Sequence, residues 1–374
     1  MRIKGKPNSF DIAHLAGVSQ STVSRALRGH PTVNAETRER ILAIARQLNY
    51  KVDKNASSLR SKHSGTLALL IFEDPTVDDS SINPFFLSML GSVTHACARH
   101  GYDLLVSFQE LSRNWHADYE DCHKADGIIL LGYGDYLDYR SRLEALVEQG
   151  THFVRWGAVL TDQPGLSIGC DNLRGGQQAA EHLLALGRRR IAFVGNASLR
   201  SPEFLERYQG YAAALRATGL APDETLQVDA ISTEAAGFEA TSALLERGAA
   251  FDALFAASDL IAIGAMRALA SRGLQVPADV AVIGFDDIPM ASFANPPLTT
   301  VQQDTRRAGE LLVETLLNLI HDDPAQSIKL PAPLIVRQSC GAGTPATAAI
   351  ARPPRAAAAA RRTANPPRGR GRAS

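Results

Sequence analysis

Between residues 19 and 25 the chain reads SQSTVSR, a run of hydrogen-bonding side chains within a segment of helical periodicity. Gln20 can pair bidentately with adenine, and Arg25 with guanine, in the major groove of a duplex. Ser19, Thr22 and Ser24 are short hydroxyls suited to phosphate oxygens. Ser21 joins Gln20 and Arg25 on the face opposite the apolar positions. Such a polar reader needs a second helix packed across it to hold it against the groove.

The flanking residues supply that frame. Ser9 is expected to cap a first helix with Ile12, Leu15 and Ala16 inward, and Gly17 to end it in a tight turn. Ser19 caps a second helix through Leu27, with Val23, Ala26 and Leu27 apolar. After a Gly29-His30-Pro31 loop, Asn34 caps a third helix whose Ile41, Leu42, Ile44, Ala45 and Leu48 fall at helical spacing.

Charge separates the same regions. The formal net charge is +0, yet residues 1–63 hold 12 Lys and Arg against 4 Asp and Glu, and residues 341–374 hold 7 Arg and no acid. The remaining residues, 64–340, hold 20 basic and 35 acidic side chains. A polyanion is therefore drawn to the ends and repelled by the body. The first residues, MRIKGKPNSF, contain no apolar export segment, and no apolar run reaches the ~18 residues of a membrane span. The expected location is the cytoplasm, on the nucleoid when bound to DNA.

From residue 64 the periodicity changes. Short apolar runs, LALLIF (67–72), DLLVSF (103–108), GIILL (127–131), THFVRW (151–156), IAFVG (191–195), ALFAA (253–257), VAVIGF (280–285) and LIVRQ (334–338), alternate with helical patterns such as 172–187, 203–218 and 259–272. Apolar strands alternating with helices imply parallel sheets covered on both faces. Their number implies two sub-domains, with a ligand crevice at the strand C-terminal ends. Past Gly341 the Ala, Pro, Gly and Arg composition predicts a disordered basic tail over 341–374.

Other chemistry finds no support in the residues. There is no H-E-x-x-H, P-loop or nucleophile elbow, and Gly132-Tyr133-Gly134 lacks the third glycine of a dinucleotide fingerprint. Cys97, Cys122, Cys170 and Cys340 are not spaced as a zinc pair, and His14, His30 and His63 read as structural or groove-side residues. No metal, cofactor or catalysis is expected. The body alone would also suit a solute-binding protein that delivers sugar to a transporter.

Residues 9–63 resemble the lactose/galactose repressor (LacI/GalR) family in D-I-A-x-L-A-G-V-S-x-x-T-V-S-R-x-L, in V-x-x-E-T-R-x-R-I and in L-N-Y. The body carries further resemblance in CDNLRGG (170–176), GRRRIAFVG (187–195), RYQGYAAAL (207–215), ASDLIAIGAMRAL (257–269), VPADVAVIGFDD (276–287) and PPLTTVQQD (296–304). The resemblance implies an all-α helix-turn-helix head over 1–50 and a hinge over 51–63. It also implies a two-lobed α/β effector domain over 64–340, with parallel sheets, like a type I periplasmic binding protein. Lobe one would take about 65–162 and 301–327, and lobe two about 163–300 and 328–340. A hinge helix from Asp53 would place Leu59, with Ala56 beside it, in the minor groove. Arg28 would add a phosphate contact where the family often has asparagine; Val52 and Ser57 depart from the family's proline and arginine.

The implied partners are a pseudo-palindromic operator in double-stranded DNA, a small-molecule effector of the sugar class, and a second copy of the chain. The expected function is that of an effector-responsive repressor of carbohydrate uptake or catabolism genes. No leucine heptad follows residue 341, so a homodimer rather than a tetramer is expected. Sugars bind to aromatic faces and to charged groups that hold their hydroxyls. Candidate effector residues are Asn83, Phe85 and Phe86 after the first strand, Arg155 and Trp156 ending the fourth, Asp171, Arg207, Asp259, Asp286 and Gln303. Phe85, Trp156, Asp171, Arg207, Asp259 and Gln303 lie at the family's ligand positions. Ser232 stands where relatives often place an aromatic ring. Alternative roles stay open: Phe85 or Phe86 as core, Asp171 or Asp286 as helix caps, and Arg207 paired with Glu203 or Glu206.

Overall fold

The computed structural model describes residues 7–27, 29–50, 63–72, 82–132 and 134–342. Arg28, the expected hinge residues Ala56 and Leu59, and residues 343–374 of the basic tail lie outside the described residues.

The head is three helices: α1 (Ser9–Ala16), α2 (Gln20–Leu27) and α3 (Ala35–Gln47). Ile12, Ala13, Ala16, Val23, Ala26, Val33, Ile41 and Ala45 form its core. Two expectations at its start need correction. Asn8 caps α1 in place of Ser9: its Oδ1 accepts from the Phe10 and Asp11 amides, and the Asp11 carboxylate accepts from the Asn8 amide. Leu15 points outward, because Ile12, Ala13 and Ala16 already fill the inward stripe. Gly17 ends α1 in the left-handed conformation at φ 64°. Asn34 caps α3 through a bond from the Thr37 amide.

The body holds two six-stranded sheets. The first carries β1 (Thr66–Ile71), β2 (Asp103–Phe108), β3 (Ile128–Leu131), β4 (Phe153–Trp156), β5 (Leu166–Cys170) and β11 (Ile328–Leu330). Its order is β11-β5-β4-β3-β1-β2 and every pairing is parallel. The second carries β6 (Ile191–Val194), β7 (Gln227–Val228), β8 (Ala253–Ala256), β9 (Ala281–Asp286), β10 (Thr299–Gln302) and β12 (Leu334–Ile335). Its order is β12-β10-β9-β8-β6-β7, and only β12 is antiparallel to its neighbour.

Helices cover both sheets. α4 (Pro84–Arg99), α5 (Tyr136–Glu148) and α11 (Thr305–Ile320) serve the first lobe. α6 (Asn172–Ala185), α7 (Pro202–Ala217), α8 (Glu234–Glu246), α9 (Asp259–Ser271) and the short α10 (Pro289–Phe293) serve the second. Strand β1 shows the two-sided burial. Leu67, Leu69 and Ile71 enter one core while Ala68 and Leu70 enter the other, as the two-residue side-chain period requires.

The expected lobe boundaries shift. β5 and β11 pair with the first sheet, so the chain leaves lobe one after Cys170 and returns after Gln302. It crosses again between Leu330 and Leu334. The expected crossings near 162 and 328 fell short because LSIGC (166–170) and the short 328–330 run are too mixed to read as strands.

Close helix contact organises lobe two. A Cβ on Gly176 would collide with the backbone carbonyl of Arg207, and one on Gly210 with that of Leu173. These glycines let α6 and α7 touch backbone to backbone, which fixes where Arg207 stands.

Asp126 holds the start of the body. Its Oδ1 accepts from the Ser64 amide at 2.5 Å and its Oδ2 from the Gly65 amide at 2.9 Å, at the entrance to β1. Replacing Asp126 with Ala is expected to cost about 2 kcal/mol in a denaturant titration. Hydrogen exchange at the Ser64 and Gly65 amides should accelerate while exchange along β3 does not.

Candidate functional site

The C-terminal ends of the two sheets face each other across a cavity of about 1160 Å³ lined from both lobes. Phe72, Phe108, Gly132 and Trp156 follow or end strands β1 to β4, whereas Asn196, Asp286 and Gln303 follow or end β6, β9 and β10. Parallel sheets bind ligands at this edge because their connecting loops and helix N-termini converge there.

Arg207 forms part of the floor. It is 4% exposed. Its Nε donates to Asn172 Oδ1 at 2.9 Å, its guanidinium donates to the Ala257 carbonyl, and Asp286 Oδ1 lies 3.6 Å away. The guanidinium carbon sits 3.7 Å from the centre of the Phe285 ring. A Cβ on Gly175 would meet that ring at 2.8 Å, so Gly175 and Gly176 together make room for the stack and for the Arg207 backbone.

Asp286 also accepts from Gln303 Nε2 at 2.6 Å. Its backbone is held at φ 120° and that of Asp287 at φ 57°, conformations that cost non-glycine residues of order 1–3 kcal/mol each. Arg337 and Gln302 grip the Asp287 carboxylate at 2.7 and 2.9 Å and fix the bend. Burial pushes the Asp286 carboxyl up to about 6, against the opposing pull of Arg207 and Gln303.

The candidate residues divide by placement. Asn83, Phe85, Phe86, Trp156, Arg207, Asp286 and Gln303 line the cavity. Arg207 pairs with Asp286 and with neither Glu203 nor Glu206. Three candidates do not line it and need correction. Arg155 precedes Trp156 in β4, so strand alternation sends it to the opposite face, where it donates to Gln163 Oε1 at 2.5 Å. Asp171 caps α6 by accepting from the Arg174 amide. Asp259 lies fully buried behind the floor, accepting from Thr300 Oγ1 at 2.5 Å and the Ile288 amide at 2.9 Å. Burial, reinforced by the nearby Asp286, raises the Asp259 carboxyl.

Several lining residues escaped the sequence reading, among them Gln109, Glu110, Arg142, Asn196 and Arg200. They stand in connections or helices whose approach to the cleft only the folded sheets determine. One signal was available. Gly132 and Gly134 carry no phosphate chemistry, but a Cβ on them would meet Phe86 at 2.9 Å and Phe72 at 2.7 Å. The pair spaces two aromatic rings at the wall.

The lobes also touch across the mouth. Asn83 Nδ2 donates to Ser232 Oγ at 3.3 Å, and Ser232 donates to Ser258 Oγ at 2.9 Å. Arg200 pairs with Asp135, and the Ala158 amide donates to Glu203 Oε1 at 2.8 Å.

In the head, α2 keeps its apolar side in the core and Arg25 and Ser21 in solvent. Ser19 Oγ accepts from the Thr22 amide at 3.2 Å and lies 2.8 Å from the Ser21 and Thr22 hydroxyls. Gln20 and Ser24 are half-buried, and Gln20 Nε2 donates to Ser9 Oγ at 3.3 Å, tying α2 to α1. No helix among the described residues is long and apolar enough to cross a membrane.

Known proteins share both parts. A family model described as bacterial regulatory proteins, lacI family, matches residues 10–53, and one described as periplasmic binding protein-like domain matches 180–340. The chain is 32% identical to the HTH-type transcriptional regulator CelR of Thermobifida fusca, over 91% of this chain and 100% of that one. It is 31% identical to the ribose operon repressor of Escherichia coli K12, over 86% and 95%. Among solved structures, the transcriptional regulator CelR–cellobiose complex superposes with a TM-score of 0.66 at 31% identity, covering 89% of this chain and 99% of that one. The lac repressor dimer bound to operator and the anti-inducer ONPF superposes with a TM-score of 0.76 at 27% identity, covering 90% and 99%.

The Asp286 shift sets a pH dependence. A carboxyl whose native pKa exceeds its unfolded value stabilises the fold while protonated, and that contribution is lost as pH rises through the native pKa. Between about pH 4 and pH 7 the natural protein should therefore lose roughly 2–3 kcal/mol relative to Asp286→Asn. Denaturant titrations across that range check it; a constant or opposite difference contradicts the assignment.

Proposed function

The chain belongs to the lacI family of bacterial regulatory proteins, and from that premise we propose that it is an effector-responsive repressor of carbohydrate uptake or catabolism genes. The head reads operator DNA, and the cavity between the lobes takes the controlling small molecule. One observation supports this most strongly: α2 presents Ser21 and Arg25 to solvent from a helix anchored in its own core, on the same chain as a cavity walled by both lobes.

Gln20 and Arg25 serve as base readers and the Ser19, Thr22 and Ser24 hydroxyls as phosphate contacts. Arg28, Ala56 and Leu59 are assigned to the same interface. As in the lac repressor dimer on its operator, two copies of this chain would place two heads on the halves of a pseudo-palindrome. CelR was solved with cellobiose, which supports a sugar as the effector class here. Sugar binding widens or narrows the angle between the lobes, and the change reaches the head through the segment before β1. The protein acts by binding rather than by turnover, and it acts in the cytoplasm, where promoter DNA is found. Transporter delivery is the weaker reading, since it leaves the head without a purpose.

The test is footprinting of purified protein on the DNA flanking its gene. A protected pseudo-palindrome is expected, and Gln20→Ala or Arg25→Ala should each weaken it by about 1–3 kcal/mol. Binding to unrelated duplexes should change little for Gln20→Ala. No protection by a folded protein, with or without sugars, would refute the proposal.

A further inference from the structure

We infer that the cleft takes an uncharged carbohydrate of at least two rings and rejects sugar acids and sugar phosphates. This rests on reading the cavity as the effector site, and it adds the size and charge of the ligand.

Charge is the first argument. Six carboxylates line the cavity, those of Glu110, Asp135, Asp138, Glu203, Glu234 and Asp286, against three arginines. Arg207 is committed to Asn172, the Ala257 carbonyl, Asp286 and the Phe285 ring. Arg200, itself exposed, is paired with Asp135, whose carboxylate also lines the cavity. Arg142 lies over the Trp115 ring at 5.3 Å, and Asp138, one turn earlier on α5, lines the same cavity, so carboxylates still outnumber arginines two to one. A carboxylate or phosphate needs an available guanidinium or an open helix N-terminus. The helix N-termini at the cavity are either capped or already carry a carboxylate. Asn83 caps α4, Asp135 caps α5, and Thr233 caps α8, which also has Glu234 in its first turn. Ser201 makes no side-chain cap bond at the start of α7, but Glu203 in its first turn already places a carboxylate there.

The same walls favour a ligand rich in hydrogen-bond donors. Carboxylates only accept, and the amide oxygen of Asn196, buried at the cavity edge, has no partner among the described residues. Sugar hydroxyls supply such donors without a charge.

Size is the second argument. The cavity of about 1160 Å³ exceeds the ~300–1,000 Å³ usual for small-molecule sites. Aromatic side chains line it from both lobes, Phe72, Phe86, Phe108 and Trp156 from lobe one and Phe204 from lobe two, which suits a ligand with more than one apolar ring face. Ser232, small and half-buried, leaves the lobe-two wall open.

The experiment is calorimetric titration of the full chain with cellobiose, maltose, lactose, sucrose, trehalose and maltotriose, alongside glucose, glucose 6-phosphate and glucuronate. At least one neutral di- or trisaccharide should bind roughly tenfold or more tightly than glucose. Glucose 6-phosphate and glucuronate should show no saturable binding. A charged sugar that matches the best neutral one, or glucose as the tightest ligand, overturns the inference and leaves the effector reading intact. Absence of binding by every carbohydrate overturns both.

Discussion

A guanidinium can be buried only where its N–H donors and its charge find partners, since leaving them unmet costs several kcal/mol. Arg207 imposes that demand at the floor of the cleft. Its solution draws on α6 for Asn172, on the end of β8 for the Ala257 carbonyl, and on β9 for Phe285 and Asp286. Gly176 lets the Arg207 backbone lie against α6, and Gly210 lets α7 lie against Leu173. Asp286, in turn, is held in an unfavourable backbone conformation and shared with Gln303 on the segment that returns to lobe one. The cleft floor and one of the crossings are thus parts of one buried polar network.

The contacts across the mouth are of a different kind. Asn83 to Ser232 is a long neutral hydrogen bond, and Arg200 with Asp135 is an ion pair whose arginine is exposed. Exposed ion pairs contribute about 0–1 kcal/mol. The Ala158 amide bond to the Glu203 carboxylate is the firmer of these contacts, and the others are weak enough for a ligand to bias the angle between the lobes. Coupling of about 1–3 kcal/mol between two sites is ordinary, and it needs only differential affinity for the two arrangements. Asp126 supplies a firm handle at the other end of lobe one, where the chain enters β1.

Much of this was legible in the residues. The three head helices, the alternating strands and helices, the two lobes and the cleft at the strand ends follow from periodicity, caps and turn residues. What failed did so for identifiable reasons. Arg155 and Trp156 are neighbours in a strand, so only one can face the cleft, and sequence does not say which. Asp171 and Asp259 follow strands as ligand residues should, but one meets a helix N-terminus and the other a threonine hydroxyl and an amide first. β5 and β11 are short and mixed in composition, so the residues alone do not show that they join the first sheet, and the crossings move with them. Gln109, Asn196 and Arg200 reach the cavity through tertiary placement that no local pattern encodes.

The central claim is that occupancy of the cleft and affinity for operator DNA are linked. The direct measurement is operator affinity of the full chain with and without a saturating sugar, together with affinity for that sugar with and without operator. The account predicts a change of about fivefold or more, equal in both directions because linkage is reciprocal. Equal operator affinity with the cleft empty and filled would contradict it.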